Sequence, residues 1–132
     1  MSSAVLADLA HKEGDYERAL RIHEQVMRLA AKHQDPLKQA RTHSNMASVL
    51  IELADYAHAM EHAEKAQHVF NTQGTDFDRL INRFHLVTLK TYLGQFQEAQ
   101  DPDLQALAQR LGAGEILAYL DRLQGEAARL QR

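Results

Sequence analysis

EGDYERAL, residues 13–20, is the stretch that decides the fold, because it returns twice at a fixed interval. Its counterparts are LADYAHAM at 53–60 and LGQFQEAQ at 93–100, each beginning 40 residues after the copy before it. Six columns keep this spacing: Gly14/Ala54/Gly94, Tyr16/Tyr56/Phe96, Ala19/Ala59/Ala99, Leu6/Met46/Leu86, Ala7/Ala47/Val87 and Leu9/Val49/Leu89. A period of this length predicts an architecture of stacked structural repeats.

Each repeat is predicted to be a pair of helices that meet at the quoted corner. Apolar residues recur at helical spacing on both sides of the second corner, as Met46, Val49, Leu50 and Leu53 before it and Ala59, Ala63, Ala66 and Phe70 after it. A glycine at the corner can end one helix in the left-handed conformation, and the following Asp can cap the next helix. Ala54 stands in the glycine column, where a left-handed backbone would cost about 1 kcal/mol. The aromatic residues predicted to lie in the core are Tyr16, Tyr56, Phe70 and Phe96.

Breaks between the repeats predict seven helices within one domain, residues 1–132. Pro36 follows Asp35 as a first helical residue, and Gly74 stops the preceding helix. The predicted helices lie near 2–13, 15–32, 36–53, 55–71, 76–93, 95–111 and 114–131. Pro102 should kink the sixth helix or restart it at Asp101. The repeat units are near 1–34, 35–74 and 75–111, and a capping helix near 114–131 covers the open end.

Charge and composition exclude several functional classes. The net charge is -3, from 15 basic and 18 acidic residues, and neither sign dominates one part of the chain. No basic footprint for nucleic acid and no cationic amphipathic membrane anchor can be found. The absence of cysteine excludes a disulfide framework and a thiolate metal site. We therefore expect no direct contact with nucleic acid or membrane, and a cytoplasmic location.

The repeat unit resembles the tetratricopeptide repeat (TPR), and GDYERAL is close to that signature as it stands. The resemblance spans roughly residues 1–111, and a period of 40, not the usual 34 or so, is similar to a longer-helix subtype. That subtype occurs in G-protein signalling modulators and in the regulatory regions of bacterial transcription and peptide-signalling regulators. The resemblance implies an all-α fold, a right-handed superhelical array of antiparallel helix pairs.

The third repeat departs from the family pattern. The large aromatic usual in the second helix is replaced by His23, Ala63 and Asp103 in the three units. Lys90 and Gln100 stand where apolar residues are expected, and Pro102 interrupts the second helix. These departures predict a degenerate, terminal third repeat.

The resemblance also implies a concave groove, lined by the first helix of each pair, that holds a peptide or a helix. The groove positions of the second and third units fall on Arg41, Ser44, Asn45, Ser48, Glu52, Phe84, His85, Thr88 and Tyr92. Asn45 can bond both the donor and the acceptor of a peptide backbone, and Arg41 can fork onto a carboxylate. We therefore expect a non-enzymatic protein- or peptide-binding module, either an adaptor or a sensor domain, without a cofactor, a metal or a catalytic residue.

Two alternatives belong to other functional classes. The first is self-association as a homodimer or higher oligomer, through exposed apolar residues of the third unit or the last helix. The second is a metal-dependent hydrolase, because HAMEH at 58–62 fits the H-x-x-E-H pattern with His58, Glu61 and His62. Ala59 and Ala63 of the same helix are packing columns of the repeat. Both histidines are therefore expected to point outward as part of a solvated face.

Overall fold

The computed structural model describes residues 2–132 and folds them into seven α-helices. Their bounds are α1 Ser3–Lys12, α2 Tyr16–Lys32, α3 Pro36–Glu52, α4 Tyr56–Phe70, α5 Asp76–Tyr92, α6 Pro102–Arg110 and α7 Gly114–Leu130. No strand occurs between residues 2 and 132, so the all-α prediction is confirmed for this part of the chain. None of these helices is long and apolar enough to cross a bilayer.

The corner column takes the left-handed backbone that its glycines predict. Gly14 and Gly94 both have φ of 80°, and Ala54 has φ of 59°. In the second unit the N–H of Asp55 donates to the carbonyl of Leu50 at 2.9 Å, which closes the end of α3. Because a left-handed backbone costs an L-residue about 1–2 kcal/mol, Ala54 is a strained position.

Capping residues mark the helix starts that the breaks predict. Asp35 accepts a hydrogen bond from the N–H of Lys38 at 3.1 Å, one residue before α3 begins at Pro36. Thr75 and Asp78 form a reciprocal capping box at the start of α5, with hydrogen bonds of 2.9 and 3.1 Å. Both devices satisfy backbone N–H groups that a helix leaves unpaired at its first turn.

The pairs stack because each first helix packs into the pair before it. Val49 of α3 lies in one apolar cluster with Ala10 and Ala19 of the first pair. Leu89 of α5, in the same column, is buried in a cluster with Ala47 and Ala59 of the second pair. The alanines allow close approach of the helices, and the larger residue fills the space between them.

The sixth helix is shorter than the predicted 95–111. Residues 96–99 form turns and α6 begins only at Pro102, so the helical prediction for 95–101 was wrong. The predicted restart at Asp101 is confirmed, since its carboxylate accepts the N–H of Leu104 at 3.0 Å. The physical reason is that proline has no N–H and suits the first turn of a helix but not its interior.

The last helix packs against the third unit through its apolar face. Leu120 and Leu123 of α7 share a buried cluster with Leu104 and Ala108 of α6. Among the aromatic residues predicted for the core, Phe70 is buried. Tyr16, Tyr56 and Phe96 are only half-buried, because they lie over the corners.

Candidate functional site

The nine predicted groove residues differ in their access to solvent. Arg41, Asn45, Glu52 and Tyr92 are exposed, whereas Ser48, Phe84 and His85 are half-buried. Ser44 and Thr88 are only 5% and 2% exposed, because short side chains on packed helices are covered by their neighbours. These two residues therefore do not line an accessible surface.

Arg41 binds a carboxylate of its own chain. Its Nε donates to Oδ1 of Asp78 at 3.0 Å and its Nη2 donates to Oδ2 at 2.9 Å. Burial opposes the ionisation of Asp78, but hydrogen bonds from Arg41 and Thr75 outweigh it and lower the pKa of this carboxyl. The guanidinium fork that was expected to meet a ligand thus joins α3 to the first turn of α5.

Asn45 faces the first helix pair. It lines a cavity of about 390 Å³ together with Ala4 of α1, His23 of α2 and Arg41. Arg41 pairs with Asp78 near the start of α5, whereas Tyr92 ends α5. Fourteen residues separate Asp78 from Tyr92, which is about 21 Å at 1.5 Å per residue. The predicted residues are therefore spread along the first helices and do not converge on one point.

An aromatic patch forms toward the C-terminal end of α5, and it comprises Tyr56, Phe84, Tyr92 and Tyr119. Tyr92 stacks on Tyr56 with the ring centroids 5.3 Å apart and the planes 8° apart. Tyr119 of α7 lies 5.2 Å from the ring of Phe84, and the guanidinium of Arg122 lies 5.0 Å above Tyr119. Burial is the main cause that raises the pKa of Tyr92, and the proximity of Tyr119 raises it further. The patch joins three helices, and Tyr92 and Tyr119 remain 39% and 36% exposed.

His85 of α5 is a neutral imidazole at pH 7. Its ring lies edge-on to Phe84 of the aromatic patch, with the centroids 6.3 Å apart. Burial first, and the proximity of His11 of α1 second, lower the pKa of His85 to about 4. A neutral imidazole offers one donor and one acceptor, so His85 can contact a peptide without adding charge.

The histidines of HAMEH turn to different partners. His58 is exposed and its Nδ1 lies 2.8 Å from a carboxylate oxygen of Asp55. His62 is half-buried, and its Nδ1 lies 2.8 Å from Nδ1 of His43 on α3. The outward orientation expected for His62 was wrong, because α4 packs against α3 and brings the two imidazoles together.

The His43–His62 contact requires neutral imidazole. Two Nδ1 atoms at hydrogen-bonding distance can share only one hydrogen, so one ring must accept. Burial lowers the pKa of His43 to about 4 and also lowers the pKa of His62. Within residues 2–132, no group of three His, Cys, Asp or Glu side chains is arranged to hold a metal ion. The H-x-x-E-H match therefore has no metal centre around it among these residues.

Tyr119 and Arg122 are the residues that sequence reasoning missed. They lie on α7, which lies outside the 40-residue columns. The groove residues were predicted from those columns, so α7 contributed none of them. The sequence feature that could have pointed to α7 is Tyr119, the one aromatic residue of the last helix. Only the packing of α7 against α5 places it beside Phe84.

Comparison with known proteins gives a family match over the first part of the chain. Residues 2–38 match the family model described as tetratricopeptide repeat, a stretch that contains α1, α2 and the first residues of α3. The match supports a tetratricopeptide repeat in the first unit. Repeats of this kind generally mediate protein–protein interaction and are typically non-enzymatic. Searches of curated proteins and of solved structures gave no match.

Proposed function

We propose that this protein is a non-enzymatic binding module that holds a peptide or a helix of a partner protein on the exposed surface of its first helices. The observation that carries the proposal is the aromatic patch at the C-terminal end of α5. Exposed tyrosines supply contact area at low entropic cost and are frequent anchors of interfaces. The tetratricopeptide match in the first unit supports the same class of function.

The charges around the patch suggest the chemistry of the ligand. Glu52 ends α3 in the same column in which Tyr92 ends α5, and it is exposed. Arg122 lies over the ring of Tyr119 in the patch. A segment with an apolar or aromatic side chain between a basic and an acidic residue would match these features. Ser48, Asn45 and His85 add neutral hydrogen-bonding groups along the first helices.

The larger architecture belongs to the same proposal. The 40-residue columns favour the longer tetratricopeptide subtype and a right-handed superhelix, with units near 1–34, 35–74 and 75–111 and α7 as a cap. In such an array the helices are rigid before the ligand arrives, so binding costs the receptor little ordering. We propose that the module acts as a cytoplasmic adaptor or as the sensor region of a regulator.

Affinity capture with tyrosine variants tests this function. Tyr92→Ala and Tyr119→Ala should each reduce the recovery of the bound protein at least about tenfold, as expected when an anchor is removed. Phe77→Ala is the matched control, because Phe77 is 64% exposed on α5 but lies at its other end. Tyr92→Phe keeps the ring and should retain binding. Unchanged recovery of every partner by both alanine variants, with native circular dichroism, would refute the proposed surface.

A second candidate function is self-association, and one observation favours it. Leu9 is 40% exposed on α1, whereas Val49 and Leu89, in the same column, are fully buried by the preceding helix pair. The outer face of α1 can therefore accept a further helical surface, including that of a second copy. Sedimentation over a concentration series tests this candidate against the variant Leu9→Lys. A strictly monomeric wild-type protein rules it out.

A further inference from the structure

The third unit contains a cavity where the second unit contains a core. In the second unit, Leu89 closes a buried cluster of Ala47, Leu50, Ala59 and Ala63, with Ile51, Tyr56 and Met60 packed against it. In the third unit a cavity of about 670 Å³ lies between α5, the turns at 96–101, α6 and α7. Five residues that line it stand 40 positions after members of that core: Val87, Thr91, Phe96, Ala99 and Gln100. The cavity is the unfilled equivalent of the second-unit core.

Polar replacements explain why this space is unfilled. Lys90 stands 40 positions after Leu50, Gln100 after Met60 and Asp103 after Ala63. Polar and charged side chains do not fill an apolar core, because their burial without a partner is costly. Helix α4 starts at Tyr56, so the equivalent start in the third unit would be Phe96, 40 positions later. Helix α6 instead starts at Pro102, six positions after Phe96. The first turn and a half of the second helix is missing from the packing.

The chain cannot close the cavity by extending α6 backwards. In a helix that ran from 96 to 110, Pro102 would remove one hydrogen bond and clash with the carbonyl of Glu98, at a cost of about 3 kcal/mol. Asp101 is also held in place, since Arg83 donates to its two carboxylate oxygens at 2.8 and 2.9 Å. The opening is therefore a stable feature of the fold.

The lining of the cavity favours an uncharged apolar ligand. Its floor includes Leu104, Leu120 and Leu123, which are 0%, 9% and 4% exposed. Five glutamines also line it: Gln97, Gln100, Gln105, Gln124 and Gln131. Of the described residues that line the cavity, Asp101 alone is charged, and Arg83 pairs with it. The volume lies within the range of about 300–1,000 Å³ that is usual for binding sites.

We propose that this cavity binds a short amphipathic helix of a partner protein, which places a Leu- or Met-sized side chain where Met60 lies in the second unit. The fold itself indicates this shape, because the equivalent space is filled there by the first turns of α4. The helix presents an apolar face without charge to the floor, and the glutamine amides bond its polar edges. This site shares no residue with the aromatic patch, so it is a second contact surface and does not depend on the proposed function.

A peptide titration tests the inference on the full chain. The probe is the α4 peptide Tyr56–Phe70, acetylated and amidated, because this segment fills the corresponding space one unit earlier. Methyl NMR should show saturable shifts at Leu104, Leu120 and Leu123. The matched peptide carrying Met60→Gln should bind about tenfold more weakly, equivalent to about 1.4 kcal/mol, since an amide replaces the apolar anchor.

Two variants of the protein localise the binding. Ala127→Phe places a ring in the cavity and should weaken peptide binding at least about tenfold. Ala118→Phe is the matched control, because Ala118 is exposed on the same helix and does not line the cavity. Equal binding by both variants, each with native circular dichroism, would overturn the inference.

The remaining outcomes separate the two sites. Peptide-induced shifts of backbone amide signals confined to Glu52 and Tyr92, with no methyl shifts in the cavity, would assign the peptide to the exposed surface of the first helices, which refutes the cavity and leaves the proposed function standing. Binding of the neutral dye N-phenyl-1-naphthylamine without any peptide binding would make the cavity a small-molecule site and refute the helical ligand. Peptide binding that survives Tyr92→Ala would support two independent surfaces.

Discussion

At the scale of single residues, the corner column shows how local chemistry determines the backbone. Gly14 and Gly94 adopt the left-handed conformation without strain, and Ala54 adopts it against its steric preference. This was predictable because a helix end depends on residues within one turn of it. The partners of Arg41 and His62 were not predictable, because each lies on another helix.

Ala54→Gly is expected to stabilise the protein. Relief of the left-handed strain gains about 1–2 kcal/mol, and the greater freedom of glycine in the unfolded chain takes back about 0.4–1 kcal/mol. Denaturant unfolding should therefore show a gain of up to about 1.6 kcal/mol. Ala118→Gly, on an exposed right-handed position of α7, is the control and should lose about 1 kcal/mol. A loss of stability in Ala54→Gly would contradict the claim that Ala54 is strained in the left-handed conformation.

At the scale of helices, the start of α5 is a junction between two helix pairs. Asp78 closes the capping box with Thr75 and also receives the guanidinium of Arg41 from α3. The Asp78 carboxylate, which is 13% exposed, thus caps the start of α5 and joins it to α3. The bounds of α2 to α5 were predicted within two residues, because caps and apolar spacing are local signals. Pro102 predicted a kink or a restart of the sixth helix, but spacing did not reveal that residues 96–101 are not helical.

Asp78→Ala is expected to destabilise the protein by about 1–2 kcal/mol, mainly through loss of the hydrogen bond that the Asp78 carboxylate accepts from the N–H of Thr75. A double-mutant cycle with Arg41→Ala should give a coupling energy of about 0.5–1 kcal/mol, because Arg41 is 46% exposed and solvent screens the pair. The control is Asp8→Ala, which removes an exposed pair with Lys12 and should cost less than about 0.5 kcal/mol. Equal losses for the two aspartate variants would argue against the junction.

At the scale of the whole molecule, burial of histidines couples the fold to pH. His23, His43, His62 and His85 lie on four successive helices, and burial is the first cause that lowers the pKa of each. Nearby Lys65 further lowers the pKa values of His43 and His62, the two imidazoles in contact between α3 and α4. At His62, Glu61 and Glu24 raise the pKa and partly offset this effect. The array is therefore built on neutral imidazoles.

Stability is expected to fall as the pH drops below about 6.5, the ordinary pKa of histidine. Between that value and about 4, the pKa of His43 and His85, the unfolded chain binds more protons than the folded chain, so stability rises with pH. Unfolding free energies at pH 7.5 and 5.0 should show the loss. The double variant His43→Gln/His62→Gln should reduce the slope.

The control for this slope is His58→Gln. The hydrogen bond with Asp55 raises the pKa of His58, so its contribution is present at low pH and is lost as the pH rises. Removing it should steepen the loss in acid. A flat profile, or an unchanged slope in the double variant, would contradict the role of the buried pair.

The sequence by itself determined the corners, the 40-residue period, the restart at Pro102 and the helices other than the first part of the sixth, because these depend on residues within one or two turns of each other. The tertiary structure alone decided that Arg41 meets Asp78, that Tyr119 joins Phe84, and that the third unit remains open beneath α7. The 40-residue columns show only which sequence positions are equivalent. Which side chains touch depends on how helices distant in sequence are placed against each other, and this is a property of the packed molecule.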